Sequence, residues 1–124
     1  MPISTLPHDH GNGGRALKLK EIMDRAENFA AASGAMSLLA DPSRLRIFWL
    51  LCHCEECVVN ISAISGMSSP AVSHHLRLLK EAGLLRARRD GREVYYSAAD
   101  TVLCRELHSV AERLLELEGC PMPE

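Results

Sequence analysis

From Arg15 onward, apolar residues recur at helical spacing, with Leu19, Ile22, Met23, Ala26 and Phe29 forming a stripe. The pattern predicts a helix starting at residue 15, and Gly34 weakens its continuity. Asp41-Pro42 is stronger punctuation, because an Asp N-cap followed by Pro at the first helical position opens a new helix. That helix carries Leu45, Phe48, Trp49 and Cys52 on one face. A short segment, Val58 to Ser65, closes at Gly66-Met67, and Ser68-Ser69-Pro70 repeats the cap-plus-proline signal. The helix it opens, over about residues 70–82, buries Val72, Leu76 and Leu79. Two helices joined by a tight glycine-containing turn predict a helix-turn-helix.

After Gly83 the periodicity changes. Leu84 to Ser97 alternates around Asp90-Gly91, the strongest two-residue hairpin signal. The arms LLRARR and REVYYS predict a ribbon with basic side chains near its tip, and a helix-turn-helix with such a ribbon is a winged helix. Tyr95 and Tyr96 are adjacent on a strand, so one of them must face inward as wing core. Asp100 is read as the cap of a final helix in which Leu103, Leu107, Val110, Leu114 and Leu117 recur at heptad spacing. Such a seam predicts pairing with another protomer. Gly119, Pro121 and Pro123 end it. The expected fold is mainly α with a small β-hairpin: one winged helix-turn-helix domain over residues 15–120, behind a polar, Pro- and Gly-rich arm (1–14) and before a short tail (121–124).

Composition narrows the class. The 124 residues fit one domain, and 47% hydrophobic with 24% charged residues is typical of a water-soluble globular chain. The longest clean apolar run, Ile47 to Cys52, is too short to span a membrane, so no membrane association is expected. The N-terminus has no basic start followed by an apolar stretch, so a cytoplasmic location with reduced thiols is expected. Net charge is −2, yet six basic residues stand against two acidic ones between His74 and Arg92. A basic segment on an acidic chain is either an electrostatic footprint for nucleic acid or a solvated charged face.

Unusual chemistry concentrates in LLCHCEECVVNI, Leu50 to Ile61, where three of the five cysteines and one of the six histidines fall between Cys52 and Cys57. Cys54 and Cys57 would share one face of a helix, or chelate across a turn. Cys52 and His53 are close enough to join them if the helix end unwinds, although Cys52 beside Phe48 also reads as core. The arm offers His8-Asp9-His10. A redox enzyme using Cys54 and Cys57 would need a βαβ context, and none is visible, so no enzyme is expected. A winged helix serving protein–protein contacts alone would not need the basic hairpin.

LADPSRLRIFWLL, SSPAVSHHLRLLKEAGLL and RRDGREVYYS resemble, in order and spacing, blocks of the ArsR/SmtB family of bacterial winged-helix repressors, over about Ala35 to Leu117. The resemblance implies a homodimer built from the first and last helices. It implies binding to an inverted-repeat operator in double-stranded DNA, weakened by an inducer that is usually a metal ion. Ser68, Ser69, Ser73, His74 and His75 then fall at the start of the recognition helix, where base edges are read. The family favours Ser73 and His74 as groove contacts, and His75 is either a contact or a packed histidine. Arg77 and Lys80 would touch backbone, and Arg88, Arg89 and Arg92 phosphate or the minor groove.

The family's thiol site, marked ELCVCDL, aligns with EECVVNI: Cys57 matches the first cysteine, while Val59 and Asn60 replace the second cysteine and the acid. Cys54 is the nearest substitute, with Cys52 and the partner's arm residues His8 and His10 as further ligands. Such a set suits Zn, Cd or Pb as inducer, and a thiolate-only subset suits arsenite; no organic cofactor is implied. The family's second site, on the last helix, keeps Asp100 but meets Val102, then Arg113 with Glu116, and is not expected. Cys104 and His108, four residues apart, could chelate, but beside the leucine seam they are expected to pack. The alternative is a thiol-based redox or persulfide sensor of the same fold using Cys52 and Cys120.

Overall fold

The structure, a computed structural model, describes residues 5–12 and 14–122; residues 1–4 and 13 of the expected arm and 123–124 of the expected tail lie outside it. The chain forms two compact units, Met1–Met36 and Ser37–Glu124. The first holds α1 (Arg15–Met23) and most of α2 (Ala26–Leu38). The single helix expected from residue 15 is therefore two helices. The break falls at Asp24-Arg25, where the Arg25 N–H turns back three residues to the Ile22 carbonyl (3.1 Å). Asp is a poor interior residue, and here its carboxylate is held by Lys20 Nζ at 2.6 Å. Gly34 is accommodated inside α2, and no residue of α1 or α2 is buried.

The second unit begins with α3 (Pro42–His53), whose N-cap carboxylate on Asp41 accepts the Ser43 N–H at 2.9 Å. α3 buries Ile47, Phe48 and Leu51, so its core face is turned slightly from the one expected; Leu45, Trp49 and Cys52 are half-buried. Then follow β1 (Glu56–Cys57), α4 (Val58–Ser65), α5 (Ser69–Glu81), β2 (Leu85–Asp90), β3 (Glu93–Ala98) and α6 (Val102–Leu117). Gly66 joins α4 to α5 at φ 74°, a conformation that favours glycine. One core gathers Ile47, Phe48, Leu51, Ile61, Val72, Leu76, Leu79, Leu84, Leu85 and Cys104. A helix-turn-helix and a wing thus share one apolar centre.

The sheet is antiparallel in the order β1-β3-β2, with Cys57 opposite Tyr95 and Arg88 opposite Tyr95 on the other side. β1 has no counterpart in the sequence reading, because two residues cannot display an alternation. The hairpin turn also sits one residue later than Asp90-Gly91 implies. Asp90 pairs with Glu93, so Gly91 and Arg92 are the central residues. Gly91 has φ 65°, and no non-glycine residue among those described has positive φ. That combination matches a type II′ turn, which takes glycine first, rather than the I′ turn that Asp-Gly at the centre would make. Tyr96 packs against the core, while Tyr95 lies beneath Arg88, whose guanidinium carbon is 4.9 Å from the ring centroid.

The cap of α6 is Thr101, not Asp100. Its hydroxyl accepts the Cys104 N–H at 3.2 Å, and Asp100 instead holds Arg105 at 2.6 Å. No described helix is long and apolar enough to cross a membrane.

Candidate functional site

α5 is strongly two-faced. Val72, His75, Leu76 and Leu79 are buried, while Ser69, Ser73, His74 and Arg77 are exposed. Ser68 is exposed, and its hydroxyl caps the helix by accepting the Ala71 N–H at 3.3 Å. His74 Nδ1 lies 3.2 Å from Arg77 Nη2, so these two side chains act as a pair on the open face. His75 is the exception to the expected contact set: it is only 9% exposed, with Nδ1 buried and unpartnered, and it supports the helix from inside. Burial pushes its pKa down; Asp41 opposes this, and Arg44 and His74 reinforce it. It is a packed histidine, and the open face of α5 is left to its neighbours.

Arg89 and Arg92 stand exposed at the wing tip. Arg88 is engaged elsewhere. It binds Glu55 through Nη2 at 2.7 Å and Nε at 3.2 Å, and the hydrogen bond from Arg88 holds the Glu55 carboxyl below its usual range. Glu55 lies between Cys54 and Cys57, so the thiol segment is tied to the wing by this pair as well as by the β1–β3 ladder.

The thiols occupy different elements and do not share a helix. Cys54 is the exposed C-cap of α3; its Sγ approaches the Leu50 carbonyl at 3.5 Å, and burial followed by the Glu56 charge pushes its pKa up. Cys57 is buried at the N-cap of α4, where its side chain makes no capping bond. Cys52 is half-buried, and desolvation, then Cys104 and Glu112, raise its pKa to about 12. Cys120 is exposed and lines a separate apolar cavity with Trp49 and Leu50, whereas Cys52 lines one with Cys104 and His108. His8 and His10 stack on each other at 5.9 Å. Among the described residues, no three of the expected ligands converge within one protomer.

The profile of the bacterial regulatory protein, arsR family, matches residues 41–87, which span α3 to the first half of the wing. The chain is 40% identical over 118 residues to the transcriptional repressor SmtB homolog of Synechocystis sp., covering 94% of this chain and 86% of that one. The chain belongs to the ArsR/SmtB family. The cadmium resistance transcriptional regulatory protein CadC of Listeria innocua is 37% identical over 82 residues, covering 64% of this chain and 69% of CadC. The solution structure of the homodimeric winged helix-turn-helix DNA-binding domain Mb0332 from Mycobacterium bovis superposes with a TM-score of 0.65 at 29% identity, covering 81% of this chain and 94% of that one. This ArsR/SmtB protein is thus a winged-helix DNA-binding regulator by sequence and by fold.

The structure also assembles a group that sequence spacing did not reveal. His53 at the end of α3 meets His108 and Glu112 of α6, with their donor atoms all within 4.8 Å of one another. His108 and Glu112 are one helical turn apart, a visible signal, but its partner lies 55 residues upstream and only the packing of α3 on α6 supplies it. Cys104, by contrast, packs as expected, its thiol donating to the Leu84 carbonyl at 3.3 Å.

Proposed function

We propose that this protein is a homodimeric repressor that holds an inverted-repeat operator in its metal-free form and releases it when a thiophilic ion, Zn, Cd or Pb, reaches Cys54 and Cys57. Genes for metal efflux or resistance, read in the cytoplasm, are the targets this reading favours. The observation that carries it is the position of the thiol segment: Cys54 and Cys57 bracket Glu55, the residue that grips Arg88, and Cys57 is paired to the wing in the sheet.

Two thiols from one protomer do not complete a tetrahedral site, which takes four donors. Cys57 makes no cap bond, and Cys54 is exposed, so both suit a shared ion with His8 and His10 of a second chain. The exposed seam of Val110, Leu114 and Leu117, together with exposed Leu19, Ile22, Phe29 and Met36 on helices without any buried residue, supports assembly through the first and last helices. Drawing Cys54 and Cys57 together shifts Glu55 and with it Arg88, re-aiming the wing; coupling of this kind is typically about 1–3 kcal/mol. Ser68, Ser69, Ser73, His74 and Arg77 contact the major groove or its phosphates, and Arg89 and Arg92 the wing-side backbone.

The oxidant-sensing alternative needs an activated thiolate at Cys52. A thiol pushed up to about 12 and a Cys120 on a different cavity favour the metal reading instead. The test is Cd(II) titration of the anaerobically purified protein, followed by thiolate-to-metal ultraviolet absorption. The band should appear in the wild type and be lost in Cys54→Ser/Cys57→Ser. No band in the wild type, or an undiminished band in the variant, overturns the proposal.

A further inference from the structure

His53 Nε2, His108 Nε2 and Glu112 Oε1 form a small triangle with edges of 2.7, 2.8 and 3.2 Å. Hydrogen bonding alone does not account for it. Each ring nitrogen carries at most one proton, so two nitrogens supply at most two N–H groups for three contacts. If both donate to Glu112 Oε1, the nitrogens face each other at 3.2 Å with nothing between them. If one donates to the other, a carboxylate contact is left bare. A cation beside the triangle satisfies all three lone pairs at once.

The donor set and its spacing fit such a cation. Two imidazoles and a carboxylate are a known zinc combination, and bonds of about 2.0–2.1 Å in a tetrahedral site place the ligand atoms about 3.3 Å apart. The triangle needs to open by about half an ångström on two edges. The side chains are about one-third exposed, at 34% for His53, 28% for His108 and 29% for Glu112, so an ion can enter and take a water as fourth ligand. His53 is steadied by Trp49, with ring centroids 4.6 Å apart. All three ligands come from one chain, on α3 and α6, so this site needs no partner arm and no thiol.

We propose that His53, His108 and Glu112 form a second divalent-metal site, of zinc-type nitrogen and oxygen chemistry, which staples the end of α3 to the middle of α6 within each protomer. It is independent of the thiol site above, and the experiment separates the two. The probe is Co(II), which reports its ligands by colour, titrated into the full chain carrying Cys52→Ser, Cys54→Ser and Cys57→Ser. The expected result is one Co(II) per chain with visible ligand-field bands, no thiolate charge-transfer absorption, and a raised Tm. Adding His108→Gln or, separately, the more exposed His53→Gln should abolish the bands and the Tm shift, while circular dichroism of the metal-free protein stays unchanged. Failure of the triple-serine chain, which keeps only Cys104 and Cys120, to bind Co(II), a thiolate band in it, or bands that survive both glutamine variants would overturn the proposal. In each of those cases the thiolate band of the cysteine-intact protein still reports on the Cys54/Cys57 reading separately.

Discussion

Among single residues, the sharpest contrasts lie in the cysteines. A thiol with pKa pushed up to about 12 holds on the order of a thousandfold less thiolate at neutral pH than one at the ordinary 9.0. Native-state alkylation read by mass spectrometry should therefore modify exposed Cys120 and Cys54 well before Cys52, with buried Cys57 and Cys104 slowest. Cys52 reacting first would contradict the packing of α3 against α6. His75 makes a prediction with a definite sign. Its folded pKa lies below its unfolded value, so the unfolded chain binds the proton more readily. Its stabilising share is intact above the ordinary range near pH 6.5 and is lost as pH falls toward the lowered value. Tm should decline between about pH 7.5 and 5.5, and His75→Leu should flatten that decline. An identical pH profile in the variant would contradict a neutral, packed His75. The serine and histidine spacing of α5 marked this face in the sequence, yet left His75 open between a groove contact and a packed histidine. Only the core beneath α5 tells them apart.

For the elements, the wing is the decisive piece. The sequence showed its two long strands through alternation and its tip through Asp90-Gly91. β1 was hidden because a two-residue strand is defined by its partner, and with it the Glu55–Arg88 pair that spans 33 residues. Asp24 ending α1 and Thr101 capping α6 were likewise local competitions among side chains that composition alone does not decide. Arg89→Ala and Arg92→Ala should each reduce the slope of log affinity against log salt by about 1.8 for the dimer if each arginine meets one phosphate in each half-site; an unchanged slope in both would remove the wing tip from the interface. Glu55→Gln should leave Cd(II) binding intact while weakening the effect of Cd(II) on DNA affinity, because the link from thiols to Arg88 is loosened. An unaltered Cd(II) effect would place the coupling elsewhere.

The molecule as a whole must solve a burial problem that one chain leaves open. Val110 is 55%, Leu114 57% and Leu117 75% exposed along one face of α6. The heptad spacing of that face was plain in the sequence, since periodicity survives without knowledge of packing. Leu114→Glu should yield a monomer by light scattering and cost most of the operator affinity, since each protomer alone reaches one half-site. A Leu114→Glu protein that stays dimeric would move the interface off α6. In the proposed mechanism metal and DNA are exclusive, coupled through the thiol segment. The most direct measurement is the affinity of the full chain for an inverted-repeat duplex from its own upstream region, at fixed salt, with and without Cd(II), in wild type and in Cys54→Ser/Cys57→Ser. The expected result is a loss of about 5–150-fold on adding Cd(II) to the wild type and no change in the variant. Equal affinity with and without Cd(II) in the wild type, or an equal loss in both proteins, would contradict it.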